Sequence, residues 1–292
     1  MDLSAIGSQL LVGLSRSMIL FIISSGLSLV LGVLRVPNFA HGSLYMLGAF
    51  TAFTVATALG GGPGGFWWAV ALAPLVVAGI CLLVERGLLQ AIYHREHLMQ
   101  MLLTYALVLI FSDLVKLIWG VEYKSLMPPP ALTGAFTFLG TSFPRYSLFL
   151  LIVGPLVAVA LWLFLNRTRL GKICRATATD REMVDALGIN SKWVFAAVFV
   201  LGGWLAGLGG VFMAPTVNIV LGMDHSIIIS AFLIVVVGGL GNVWGALVSA
   251  LIFGVGESFG VLFWPRFAIV FPFLIAAVLL IIRPSGLLKS VW

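Results

Sequence analysis

An all-α, polytopic membrane helix bundle of about eight to ten transmembrane helices is the fold class that this sequence predicts, and three observations predict it. Of 292 residues, 61% are hydrophobic and only 9% charged, whereas a soluble domain carries about 25% charged residues. The apolar residues gather into nine segments close to the roughly 20 residues needed to cross a 30 Å hydrocarbon layer. Glycine supplies 33 residues, many of them inside those segments, where small side chains let helix backbones approach closely.

The first segment, 10–34, is expected to remain in the protein, because Asp2 stands where a signal peptide would be basic and no small-residue cleavage site follows. Pro37 separates it from segment 39–59, removing an N–H and turning Val36 away from helix. Asn38 is placed to cap the second helix, or the break exposes backbone groups that line a solute path with Asn38 and His41. Segment 66–84 holds Cys81, and segment 98–120 holds Asp113 and Lys116 at a spacing that favours mutual neutralisation. Residues 121–145, with Pro128, Pro129 and Pro130, form a long outer connection. Segment 146–165 then leads into the most polar stretch, 166–192. Segment 194–214 is dense in glycine, 227–241 and 267–282 are short, and 243–263 carries Glu257 with no opposite charge nearby in sequence. The chain reads as one transmembrane domain, 1–292.

The net charge of +6 is unevenly distributed. One set of alternate connections holds Arg35, Arg86, Arg95, Arg167, Arg169, Lys172, Arg175, Arg181, Lys192, Arg283 and Lys289, eleven in all, against four (Lys116, Lys124, Arg145, Arg266) in the other. This asymmetry is the signature of membrane orientation and lipid contact rather than of nucleic-acid binding. It places the C-terminus in the cytoplasm and the N-terminus outside with nine spans, or inside with eight or ten. Cys81 and Cys174 support neither a disulfide framework nor a metal cluster and read as packing residues.

Within 166–192, Thr179, Asp180, Arg181 and Glu182 match a capping box, with Thr179 as the cap and Glu182 reaching back. Gly188 stands where a helix is commonly closed. A short helix over 180–187 follows, with Met183, Val184, Ala186 and Leu187 clustered at helical spacing. Such a helix either lies on the membrane surface or docks into a groove on a soluble partner.

Several motifs occur in order along the chain: Asn38-Phe39-Ala40-His41-Gly42 followed by Tyr45-Met46-Leu47-Gly48; Arg169-Leu170-Gly171-Lys172 through Arg175-Ala176 to Asp180; Ala186-Leu187-Gly188-Ile189-Asn190; Gly238-Gly239-Leu240-Gly241-Asn242 with Gly245-Ala246; and Arg283-Pro284-Ser285-Gly286-Leu287. In these the chain resembles permeases of the branched-chain amino acid class of ATP-binding cassette importers. The resemblance implies a bacterial inner-membrane complex of a second, paralogous permease, two cytoplasmic ATPase subunits and an external solute-binding protein. It implies that the loop from Asp180 to Gly188 is the coupling helix seated in the ATPase. ATP and Mg would then be bound by partners and no cofactor by this chain. Val243 and Trp244 after Asn242 depart from the pattern, as does the short connection from Glu85 to Arg95, which leaves the substrate open among leucine-like amino acids, urea, amides and aromatic acids.

No G-x-x-x-x-G-K-[ST] loop occurs in the sequence. Arg16, His41, Asp113, Lys116 and Glu257 fall inside apolar segments, where a charge costs about 2.5–3.5 kcal/mol at the centre. Glu257 therefore needs a partner from another helix, and Arg16 is a candidate; the remaining role for Glu257 is to line the solute path. His41 has no second ligand or base at useful spacing, and no nucleophile is paired with a base. An enzyme is not indicated. An ATP-independent channel or secondary transporter is the alternative reading.

Overall fold

The computed structural model describes residues 3–59, 64–93, 95–138 and 141–288. Part of the glycine run 60–65 and Lys289 lie outside the described residues. The nine apolar segments each become a helix: α1 (Leu3–Leu34), α2 (Ala40–Ala58), α3 (Gly65–Val84), α5 (His97–Trp119), α6 (Arg145–Arg167), α9 (Ser191–Met213), α10 (Met223–Gly238), α11 (Val243–Phe263) and α12 (Phe271–Ile282). Helix α3 does not stop at Val84. It runs through a π-helical turn, Glu85–Leu89, into the short α4 (Gln90–Ile92), because the buried Glu85 carboxylate accepts hydrogen bonds from Gln90 Nε2 and Tyr93 Oη, both at 3.1 Å. The connection after the third segment is therefore shorter than the sequence suggests.

Six described helices are long and apolar enough to cross a bilayer, while α10 and α12 are shorter apolar helices. The 16 residues of α10 reach only about 24 Å, and the packing explains how they suffice. His41, in the first turn of α2, places Nε2 2.9 Å from the carbonyl oxygen of Ile23, in the interior of α1. The first turn of α10 in turn packs on α2, with Ser43 Oγ donating to Asp224 Oδ2 at 2.8 Å. Both helices thus begin within the bundle rather than at its surface, and the segments leading to them dip inward.

Helix α1 stands at the centre, packed against α11, α9, α6 and α10. Helices α2, α3 and α9 form a tight group beside it: a Cβ on Gly48 would lie 2.5 Å from the Gly207 carbonyl oxygen, so α2 and α9 meet backbone to backbone. The long connection 121–145 contains a 3₁₀ turn (Pro130–Leu132) and a hairpin, β1 (Ala135–Phe138) antiparallel to β2 (Thr141–Pro144), with Ala135 opposite Pro144. Lys124 bridges to Ile219, tying this connection to the segment between α9 and α10. At the opposite end, Leu287 N donates to Val237 O at 2.7 Å, so the chain after α12 folds under the turn between α10 and α11.

Asp113 and Lys116 do not form the expected pair. Both are exposed on α5, and the ion pairs found among the described residues are Arg16–Glu257, Lys124–Glu122 and Arg181–Asp185.

Candidate functional site

Two short helices lie between α6 and α9. Thr168 caps α7 (Arg169–Thr179) by accepting from Gly171 N at 3.0 Å. Gly171, Cys174, Thr177 and Ala178 are buried at helical spacing, while Arg169 and Lys172 face outward. Helix α8 (Arg181–Ala186) follows directly. Its cap is Asp180, whose carboxylate accepts from Met183 N at 3.0 Å. The expected cap, Thr179, is instead the last residue of α7, and its hydroxyl bonds the Arg175 carbonyl at 3.1 Å. The capping box therefore does not form, because α7 continues through Thr179 and leaves Asp180 as the first extended residue.

The other end of α8 closes as expected. Gly188 adopts φ +82°, a left-handed conformation that glycine reaches without Cβ strain. Gly188 N then bonds Asp185 O at 3.0 Å and Ile189 N bonds Val184 O at 3.2 Å, the paired arrangement that satisfies the last carbonyls of a helix. Asp185 ties α8 to α9, accepting from Ser191 N at 3.0 Å and Ser191 Oγ at 3.1 Å, with Arg181 Nε 3.6 Å away. These Ser191 hydrogen bonds, aided by Arg181, hold the Asp185 carboxyl below the usual carboxylate range. The Arg181 guanidinium also stacks over Phe195 at 4.9 Å.

The consequence is a rigidly held helix with its apolar side turned outward. Val184 is the one buried residue of α8, whereas Met183 is 58% and Leu187 72% exposed, and Ala186 and Glu182 are exposed beside them. Behind α8 lies a cavity of 450 Å³ lined by Arg35, Tyr93, His97, Asp180, Arg181 and Glu182. Arg35 Nη2 donates to Ala178 O at 2.9 Å, joining the end of α1 to the end of α7. Burial of Cys174 pushes its thiol up to about 11.

The eight residues named from the sequence, Thr179, Asp180, Arg181, Glu182, Met183, Ala186, Leu187 and Gly188, thus lie together on and around α8, but Asn38, His41 and Glu257 are not brought to one place. Asn38 is buried, with neither side-chain polar atom partnered, and does not cap α2, whose cap position is Phe39 without a side-chain bond. His41 is fully buried against α1. Glu257 meets Arg16, the anticipated partner, at 2.7 Å. The pair lines a second cavity, of 590 Å³, between α1, α11, the first turns of α10 and α12, on the opposite side of the bundle from α8.

Sequence reasoning missed three features. Helix α7 was legible from Thr168 followed by the Gly171, Cys174, Ala178 spacing. The buried carboxylates of Glu85 and Asp224 were not, since their hydrogen-bond donors had to be known first. No group of three or more His, Cys, Asp or Glu suited to a metal occurs among the described residues.

A family model described as the permease component of the branched-chain amino acid transport system matches residues 9–283. The chain is 30% identical over 300 residues to the high-affinity branched-chain amino acid transport system permease protein BraD of Pseudomonas aeruginosa, with 96% of this chain and 94% of that protein covered. To the corresponding permease protein LivH of Escherichia coli K12 it is 27% identical over 298 residues, again covering 96% and 94%. Among solved structures, a chain of PsaBC from Streptococcus pneumoniae in complex with Fab aligns with a TM-score of 0.48 at 14% identity, covering 93% of this chain and 89% of that one.

Proposed function

Since the chain belongs to the family of branched-chain amino acid transport system permease components, a transport subunit rather than an enzyme, we propose that it forms the translocation path of an ATP-driven importer for branched-chain amino acids and couples that path to cytoplasmic ATPase subunits through α8. In this reading residues 1–292 act as one transmembrane permease domain with 166–192 as its coupling loop. The complex contains a second, paralogous permease, two ATPases that bind ATP and Mg, and an external solute-binding protein. The chain resides in the bacterial inner membrane with its C-terminus and α8 on the cytoplasmic side.

The observation that supports this reading best is the outward apolar side of α8. Met183, Ala186 and Leu187 stand exposed on a helix of 6 residues that is fixed at both ends, by the Asp180 cap and the Gly188 turn. Exposed apolar side chains on a rigid support are suited to a groove on a partner, and the rigidity lets motion of that partner reach α7 and α9. A helix merely resting on lipid needs no such fixing.

The test is ATP-dependent leucine uptake and ATPase activity in proteoliposomes carrying the chain with its neighbouring permease, ATPase and binding protein. Asp180→Ala and Leu187→Ala are expected to lower uptake more than ATP hydrolysis, or to weaken ATPase association. Solute movement by this chain alone, without ATP, would replace the importer by a channel or gradient-driven carrier.

A further inference from the structure

The second cavity carries charge but no net charge. Arg16 and Glu257 are its charged lining residues, and they meet through one guanidinium nitrogen and one carboxylate oxygen. No other hydrogen-bond partner of either side chain is found among the described residues. The volume of 590 Å³ falls within the roughly 300–1,000 Å³ typical of small-molecule sites. Around the pair the wall combines Ser226 of α10 with apolar Ile227, Ile269 and Phe273. The position also matters. Arg16 lies 18 residues before Leu34, the inner end of α1 (34 − 16 = 18), about 27 Å along the helix, on the side of the bundle where solute would enter.

We infer that this cavity receives the transported amino acid as a zwitterion, its carboxylate on Arg16 and its ammonium on Glu257, with the aliphatic side chain against Ile227, Ile269 and Phe273; this rests on the importer reading above. In the empty cavity the two side chains neutralise each other. When a zwitterion enters, each exchanges its partner for one end of the solute, so charge pairing is conserved throughout. A solute with a single charge satisfies one side chain and leaves the other without its partner, a cost that falls mainly on Glu257, 16% exposed against 44% for Arg16. A solute without charges offers neither side chain a replacement for the ion pair it would break. The pair is thereby a charge filter as well as a binding site.

The experiment uses the complete complex in proteoliposomes, with leucine as the probe delivered by saturated binding protein, and reads uptake beside the thermal unfolding midpoint. Glu257→Gln is expected to reduce leucine uptake about 10-fold or more, the effect of losing one charge-assisted hydrogen bond to the solute. The exchanged variant, Arg16→Glu with Glu257→Arg, rebuilds the ion pair with reversed polarity. It is expected to restore the unfolding midpoint while uptake stays low, because the solute would enter with its side chain misdirected. Undiminished uptake by Glu257→Gln, or recovery of uptake together with stability in the exchanged variant, would show the pair to be a structural fastening and overturn the inference alone. Failure of the wild-type complex to take up leucine with ATP overturns the importer reading and the inference with it.

Discussion

Asp180, Asp185 and Gly188 hold α8 by different physical means, and each can be removed separately. Gly188→Ala forces a Cβ into the left-handed region at φ +82°, at a cost of about 1–2 kcal/mol, and is expected to raise amide exchange across α8 while leaving the transmembrane helices protected. Asp185 gives a pH signature. Its carboxyl is held below the usual range by Ser191 and Arg181, so its contribution is fully present above the unfolded value near 3.9 and is lost as pH falls through the lowered folded value. Protection of α8 should therefore be flat from about pH 5 to 8 and decline only below about pH 4, and Asp185→Asn should remove that decline. At this scale Gly188 was readable, because a glycine after a short apolar cluster has one common use. The cap was not, since choosing between Thr179 and Asp180 required knowing that α7 extends to Thr179. The charges of Arg169, Lys172 and Arg175 hide the small-residue face by which α7 packs.

Helices α2 and α9 show what the glycines are for. Gly48→Ala would place a methyl group 2.5 Å from the Gly207 carbonyl oxygen, and overpacking of this kind costs about 1–3 kcal/mol; a lower unfolding midpoint in detergent is the expected outcome. Gly79→Ala is the control. Nothing lies within 4 Å of its Cβ position in α3, so the gain in helix propensity should leave the midpoint unchanged or slightly higher. The nine apolar segments and their order were legible because hydrocarbon imposes a minimum length on every span. What stayed hidden were the elements set by distant partners. Asp224 is acceptable within the bundle because Ser43, 181 residues earlier, donates to it. The helix continues past Val84 because Glu85 finds Gln90 and Tyr93. Conversely, Asp113 and Lys116 have pairing distance in sequence yet stand apart on an exposed face.

Taken as a whole, the molecule has two differently built ends. Helix α8, the end of α1 and the segment after α12 share one end, while the 121–145 connection and the segment before α10 share the other. Site-directed labelling checks the orientation, and the chain is suited to it because Cys81 and Cys174 are both buried. With an impermeant maleimide on intact cells, Tyr123→Cys is expected to react and Ser285→Cys to react only after lysis. The reverse pattern would invert the assigned topology. Helix α1 adds a consequence of its own. It is synthesised before α9 and α11, and Ser17, Ser24, Ser25 and Ser28 are fully enclosed only by neighbours that include those two later helices. During biogenesis this helix must wait in lipid with a hydroxyl-rich flank uncovered. An interrupted or misassembled copy therefore differs chemically from a finished one at the very centre of the bundle.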